Sequence, residues 1–155
     1  KLVLHFGVSA QATAYVVETT ARNTCHVTED AVGALPRDST VVRGGPETLA
    51  ARVPVADIVQ RPQALKVPAV ASDDAGSYLC NAILYRSLLC AEQIAEPDAV
   101  GFLHIPHEIP PALLKSRTDP GAMRFDWGTA LIGGLEIIRT CFGRPPPSRR
   151  HMKNR

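Results

Sequence analysis

The sequence contains no continuous apolar run long enough to cross a lipid bilayer, so no membrane-spanning helix is predicted in its 155 residues. No internal repeat is visible either. The chain begins with Lys1 rather than Met, and neither a charged region nor a cleavage site precedes the apolar run that follows. We therefore do not expect a signal peptide, and we interpret the start of the chain as a strand that normally lies inside a domain.

The cysteines lack the CxxC pairs and the spacings that are typical of zinc sites. Cys80 and Cys90 lie in one predicted helix, about 15 Å apart along its axis, which is too far for a disulfide. We interpret both, together with Cys25 and Cys141, as reduced thiols of a cytoplasmic protein.

Acidic side chains are missing from residues 144–155, which carry five of the 17 basic side chains and a run of three prolines. Without that segment the 15 acidic side chains outnumber the remaining basic ones. The pattern predicts one α/β domain over residues 1–143 and a disordered Pro/Arg-rich tail over residues 144–155. A nucleic-acid or anionic-membrane anchor is the weaker interpretation of the tail, because it has no aromatic residues, and we expect neither partner.

Strand and helix patterns alternate along the chain. The sequence predicts buried strands over residues 2–6, 14–20, 67–71 and 100–105, a surface loop over 24–47, and helices over 55–60, 76–92 and 127–142. Pro62 is expected to end the first helix, while Asp126 and Gly143 bound the last one. Gly133 and Gly134 weaken that last helix, and we expect them to permit close packing. This order predicts an α/β sandwich with parallel strand pairs.

One face of the predicted helix 76–92 is expected to be buried. Leu79, Ile83, Arg86 and Cys90 share that face, and Ala82, Tyr85 and Leu89 lie beside it, which gives a broad apolar stripe. Cys80 falls in the first turn, where free backbone N–H groups and the helix dipole would lower the pKa of its thiol.

A histidine and a glutamate extend this pattern. His104 ends the next predicted strand, and it would lie at the same sheet edge as Cys80 if the strands are parallel. An imidazole there can take the thiol proton and later protonate a leaving amine, and Glu18, near the end of another strand, can orient the ring. The alternative is an inert helix cysteine and a structural histidine.

The other histidines favour structural interpretations. His104 and His107 form an H-x-x-H pair, but Pro106 breaks a helix there and no acidic or cysteine partner is near, so a metal site is the weaker interpretation. We expect His5 to be packed within its strand, and His26 and His151 to be solvated.

Three ordered segments resemble the pyroglutamyl-peptidases, also called pyrrolidone-carboxylate peptidases, a family of cysteine peptidases. Residues 72–81 (SDDAGSYLCN) and 85–88 (YRSL) are similar to the nucleophile segment of the family. Residues 102–106 (FLHIP) resemble its histidine segment, and residues 5–8 (HFGV) followed by Glu18 and Asn23 resemble the stretch with the catalytic glutamate. Helix 127–142 is similar to the last helix of the family.

The resemblance implies removal of N-terminal pyroglutamate from peptides by a cysteine hydrolase, without metal or organic cofactor. Cys80 would be the nucleophile, His104 the general base and acid, and Glu18 the residue that orients the imidazole. A thioester would form and be hydrolysed by water, and the Cys80 backbone N–H is a candidate oxyanion donor.

The family also has a Gly-Phe-x-Pro-Phe-like segment followed by a helix and a strand, to which nothing in this sequence corresponds. We therefore expect a three-layer α/β/α sandwich with a mostly parallel central sheet that lacks the N-terminal strand and helix of the family. Either the chain is a fragment, or it is a shortened relative that is catalytically weak or silent and acts by binding. Exposed sheet edges would also favour a homo-oligomer.

Overall fold

A computed structural model describes residues 1–29, 31–94, 97–111 and 123–143. The predicted tail over residues 144–155, including His151, lies outside these ranges. The strands and helices of the described chain are β1 (Leu2–Ser9), β2 (Tyr15–Glu18), β3 (Thr20–Arg22), β4 (Thr48–Ala50), α1 (Val55–Ala64), β5 (Ala69–Ser72), α2 (Leu79–Ile94), β6 (Ala99–Pro106) and α3 (Trp127–Cys141). None of these helices is long and apolar enough to cross a membrane.

The central sheet has the strand order β1-β6-β2-β5 in the described chain. β1 pairs with β6 and β2 pairs with β5 in parallel, whereas β2 and β6 are antiparallel. β5 and β6 therefore run in opposite directions, so the argument that Cys80 and His104 share the carboxyl edge of parallel strands is wrong. β3 and β4 form a separate two-stranded antiparallel sheet.

Helices cover both faces of the sheet, which confirms the predicted α/β/α layers. Side chains alternate along β6, so that Phe102 packs with Leu84 and Leu88 of α2, while Leu103 packs on the other face with Ile58 of α1 and Ile137 of α3. β1 and β5 were predicted to be buried, but they lie at the edges of the described sheet and are partly exposed.

Polar residues without regular structure connect β3 to β4. Residues 23–47, apart from Asp30, which is not described, contain no helix or strand, as predicted. Helix α1 differs from its prediction, because it passes through Pro62 and ends at Ala64. A proline removes a single helical hydrogen bond so near the end of a helix, and the Pro62 ring is fully buried, which compensates for that loss.

Helix α2 begins later and turns a different face inward than predicted. Gly76 has a φ of 77°, which excludes it from the helix, and the first helical residue is Leu79. The inward face carries Asn81, Leu84, Tyr85, Leu88 and Ala91, whereas Leu79 is 65% exposed. The predicted central residues of the stripe, Leu79, Ile83, Arg86 and Cys90, are therefore wrong. Of the residues predicted beside them, Tyr85 is buried, and Ala82 and Leu89 pack against the core.

Helix α3 has the predicted cap and the predicted close contact. The Asp126 side chain accepts a hydrogen bond from the Thr129 backbone N–H, and the Thr129 hydroxyl accepts one from the Asp126 backbone N–H. A methyl carbon on Gly133 would lie 2.7 Å from Cγ1 of Val67 and 2.9 Å from Cε2 of Tyr15. The absence of a side chain at Gly133 thus lets α3 pack against the sheet.

We expect Gly133→Ala to lower the free energy of unfolding by about 1 kcal/mol, because overpacking costs about 1–3 kcal/mol and the better helix propensity of alanine returns about 1 kcal/mol. Urea denaturation followed by circular dichroism measures this change. Leu131→Ala is the control, because Leu131 lies on the same helix and is 70% exposed, so it should change the value by less than about 0.5 kcal/mol. A Gly133→Ala variant as stable as the unaltered chain would contradict the packing argument.

Candidate active site

A buried glutamate and a histidine pair at the centre of the sheet. The Nδ1–H of His104 donates a hydrogen bond to Oε1 of Glu18 over 2.8 Å, and the Glu18 side chain is 1% exposed. Because an ionised carboxylate only accepts hydrogen bonds, this contact directs the Nδ1–H of the imidazole toward Glu18 and turns Nε2 away from it. No hydrogen bond occupies Nε2 within the described chain.

The antiparallel pairing of β2 with β6 brings these two side chains together. Val16 is the register partner of His104, and Glu18 follows two residues later on the same face of β2. That face is the one covered by α2, because Phe102, two residues before His104, packs against α2. Glu18 and His104 were both predicted from the sequence, but their antiparallel pairing was not.

Cys80 is the second residue of α2, and its thiol lies over β1. A methyl carbon on Gly7 would lie 3.1 Å from the Cys80 Sγ and 2.6 Å from the Phe102 ring, and Gly7 is the register partner of His104. The predicted strand ended at residue 6, but Gly7 also lies inside β1, where the absence of a side chain leaves room for the sulfur. A glycine within a strand can indicate such a close approach.

The surroundings of the Cys80 thiol oppose its ionisation. Burial raises its pKa, and the negative charge of Glu18 raises it further, whereas the Cys80 backbone N–H lowers it by a smaller amount. The predicted lowering of this pKa by the helix start is therefore wrong, because the thiol packs against Gly7 and Phe102. No hydrogen bond joins the thiol to His104 in the described chain, so thiolate formation requires the imidazole to approach the sulfur.

Two cavities open beside these residues. The thiol cavity, of about 520 Å³, is mostly apolar and is lined by Cys80 with His5, Phe6, Leu79, Ile83 and Phe102, among others. The imidazole cavity, of about 500 Å³, is more polar and is lined by Glu18 and His104 with Ser9, Ser72, Asp74 and Gly76, among others. The candidate nucleophile Cys80 and the candidate base His104 thus line different cavities.

His5, His26 and His107, the remaining histidines that the structure describes, agree with their structural interpretations. His5 packs near Phe102, its Nε2 lies 2.9 Å from the Ser87 hydroxyl, and burial lowers its pKa so that the neutral ring is favoured. His26 and His107 are exposed. No group of three or more histidine, cysteine or acidic side chains that could hold a metal ion occurs among the described residues.

Comparison with known proteins gives concordant results. The sequence model of a family described as pyroglutamyl peptidase matches residues 1–137. The pyrrolidone-carboxylate peptidase of Alkaliphilus oremlandii is 36% identical over 90 residues, which are 58% of this chain and 42% of that protein. The enzyme of the same name from Halalkalibacterium halodurans is 32% identical over 126 residues, which are 75% of this chain and 63% of that protein. The chain thus matches less than two thirds of the length of either curated relative.

Solved structures share the fold. The pyrrolidone carboxyl peptidase of Thermococcus litoralis has a TM-score of 0.76 at 22% identity, with 99% of this chain and 68% of that chain covered. A mutant pyrrolidone carboxyl peptidase from Pyrococcus furiosus has a TM-score of 0.76 at 23% identity, with 92% and 69% covered. About 30% of each longer chain therefore has no counterpart in the alignment.

Proposed function

Because this chain belongs to the pyroglutamyl peptidase family, whose sequence model matches residues 1–137, we propose that it removes N-terminal pyroglutamate from peptides. Cys80 is the nucleophile of this proposal, His104 is its base and acid, and Glu18 orients His104. The observation that carries the assignment is the buried 2.8 Å hydrogen bond from His104 to Glu18, on the sheet face over which the Cys80 thiol lies.

The proposed reaction has two halves. Nε2 of His104 takes the thiol proton of Cys80, and the sulfur attacks the carbonyl carbon that joins pyroglutamate to the next residue. The imidazolium then protonates the leaving amine, the C–N bond breaks and a thioester remains. Water, deprotonated by His104, attacks the thioester and releases pyroglutamate, and the proton returns to the sulfur. The Cys80 backbone N–H is the candidate donor to the oxyanion of both tetrahedral intermediates.

The thiol cavity suits an uncharged N-terminal ring. A peptidase that binds a free N-terminus must pair an ammonium group with an acidic side chain, because burying an unpaired charge is costly. The described residues that line the thiol cavity include no carboxylate, and they do include the cation Arg86. Pyroglutamate carries no charge on its ring nitrogen, so an apolar wall with the neutral His5 nearby fits it better than a free amino terminus.

Selectivity between two fluorogenic amides tests this proposal. We expect the reduced chain to hydrolyse a pyroglutamyl amide with a kcat/KM at least about 100-fold higher than that for the matching prolyl amide, which has the same ring size but a charged nitrogen. Equal rates on the two substrates would contradict the substrate assignment. If the chain is folded by circular dichroism and releases no fluorophore, the proposed activity is wrong and a silent relative that acts by binding is favoured.

The setting of this activity follows from the same residues. Cys25, Cys80, Cys90 and Cys141 are all free thiols, which fits a reducing compartment, and we place the enzyme in the cytoplasm on that basis. The proposed catalytic unit is the domain over residues 1–143. The outer edge of β1 exposes Phe6 and Val8, so a homo-oligomer formed through that edge is part of the proposal, and light scattering tests it.

A further inference from the structure

Asn81, the neighbour of Cys80 in the first turn of α2, is a fully buried polar residue. Its side chain is 0% exposed and lies among the apolar residues of the inward face of the helix. A buried amide is costly unless it is hydrogen-bonded. The position of Asn81 is therefore determined by the hydrogen-bond partners of its side chain as well as by the packing of the helix.

The Asn81 side chain binds the backbone of one short segment. The Arg22 N–H donates to Oδ1 over 2.8 Å, and Nδ2 donates to the carbonyl oxygens of Arg22, over 2.8 Å, and of Thr24, over 3.0 Å. Arg22 is the last residue of β3, which is separated from Glu18 at the end of β2 by Thr19 alone. The amide therefore connects the turn that carries the thiol to the chain segment that carries the carboxylate.

We propose that Asn81 is a positioning residue that sets the separation between the Cys80 thiol and the Glu18–His104 pair. This inference rests on the proposed function, because it assigns a purpose to the spacing of those three groups. Asn81 accepts a hydrogen bond from the Arg22 N–H and donates one to the Arg22 carbonyl oxygen. These two bonds fix the position of the first turn of α2 relative to β3. A displacement of about 1 Å between reacting groups can lower a rate about 100-fold, so such a clamp would matter for catalysis.

Asn23 provides a matched control for a role in stability alone. Its side chain is also buried and also makes three hydrogen bonds to backbone groups, with the Val42 N–H and with the carbonyl oxygens of Val42 and Gly45. Those bonds hold the loop between β3 and β4 and do not reach the first turn of α2. Asn23→Ala thus removes bonds of the same number and kind as Asn81→Ala.

A double-mutant cycle on the alkylation of Cys80 measures the proposed coupling without any peptide substrate. Iodoacetamide reacts with the thiolate, and mass spectrometry of the Cys80 peptide follows the rate at pH 7 in the full chain. We expect His104→Ala to slow the alkylation about tenfold in the unaltered chain and in the Asn23→Ala control. In the Asn81→Ala chain, the same substitution should slow it less than about twofold. Steady-state kinetics should agree, with kcat at least about 10-fold lower in Asn81→Ala and KM changed less than about threefold.

The outcomes separate this inference from the proposed function. If His104→Ala slows alkylation by the same factor in the unaltered chain and in the Asn81→Ala chain, the thiol and imidazole interact but Asn81 does not position them. The inference is then overturned. If His104→Ala has no effect in any background, the thiol–imidazole interaction itself is refuted, together with the inference. Asn81→Asp, which keeps the shape and the acceptor for the Arg22 N–H but loses the donor, serves if Asn81→Ala does not fold. If neither variant folds, Asn81 is needed for the fold as a whole and the inference is overturned.

Discussion

Cys80→Ala is expected to lower kcat/KM for a pyroglutamyl amide by at least about 10⁴-fold, because the variant has no atom that can form the thioester. Cys80→Ser should also be nearly inactive, since a serine hydroxyl ionises far less readily than a thiol. The burial that raises the pKa of the Cys80 thiol would oppose ionisation of a hydroxyl still more strongly. Turnover of the fluorogenic amide, measured on reduced protein, checks both variants.

The other cysteines supply the control for this experiment. Cys90 lies on the same helix and is exposed, so Cys90→Ala tests the loss of a thiol without loss of the candidate nucleophile. We expect its kcat/KM to stay within about twofold of the unaltered chain, as for surface substitutions in general. Robust hydrolysis by Cys80→Ala would refute the assigned nucleophile, and loss of hydrolysis in Cys90→Ala would relocate it.

Glu18→Gln is expected to lower kcat about 10³-fold, while the variant keeps the shape of the side chain. The Glu18 carboxylate accepts the Nδ1–H bond of His104, and in the proposed mechanism it stabilises the imidazolium that forms when the thiol proton is transferred. A neutral glutamine can accept the same hydrogen bond, but it does not compensate the positive charge. Single-turnover kinetics separates this effect from substrate binding, which should change less than about threefold.

Whether kcat falls or rises in Glu18→Gln distinguishes two roles of Glu18. Its charge also raises the pKa of the Cys80 thiol, so Glu18→Gln lowers that pKa and increases the thiolate fraction at neutral pH. If this were the main role of Glu18, the variant would be faster than the unaltered chain. Glu136→Gln is the control, because Glu136 is also a buried glutamate beside a basic side chain, that of Arg61. Unlike Glu18, it lies on α3 at the opposite face of the sheet. The turnover per folded molecule of Glu136→Gln should stay within about threefold of the value for the unaltered chain.

Local chemistry was sufficient to predict most of the elements of this fold. Asp126 and Thr129 form the cap of α3 from residues only three positions apart, and Gly143 ends that helix with a φ of 64°. The β-branched residues after Ala14 and the apolar run after Ala99 form β2 and β6. Each of these features depends on neighbours in sequence, and such neighbours can be read directly from the chain.

The inward face of α2 could not be predicted in the same way. The helix has large apolar residues on several sides, so its periodicity does not choose between Leu79 and Leu84. The choice is made by polar atoms that find distant partners, such as the Tyr85 hydroxyl, which donates to the Pro46 carbonyl over 2.7 Å. Such pairs depend on how the loop between β3 and β4 is folded, which no local pattern contains.

The residues of the candidate site were named by sequence segments, but their geometry was not. Local patterns do not specify strand direction, so the antiparallel pairing of β2 with β6, which brings Glu18 to His104, was missed. The raised pKa of Cys80 was missed for a related reason, because Gly7 of β1 and Phe102 of β6 bury the thiol. The dipole of a helix start is a local property, whereas burial is not.

The pairing of β1 with β6 also sets an order for synthesis and folding. Leu2 pairs with Ala99 and Ser9 with Pro106, so β1 cannot pair until β6, the last strand of the described sheet, has been synthesised. At the usual elongation rate of about 5–20 residues per second, β1 leaves the ribosome at least several seconds before β6 does. β2 and β5 can pair in that interval, but Glu18 cannot meet His104. The candidate site therefore forms only as the sheet closes, and a polypeptide that ends between residues 81 and 103 contains Cys80 but lacks His104.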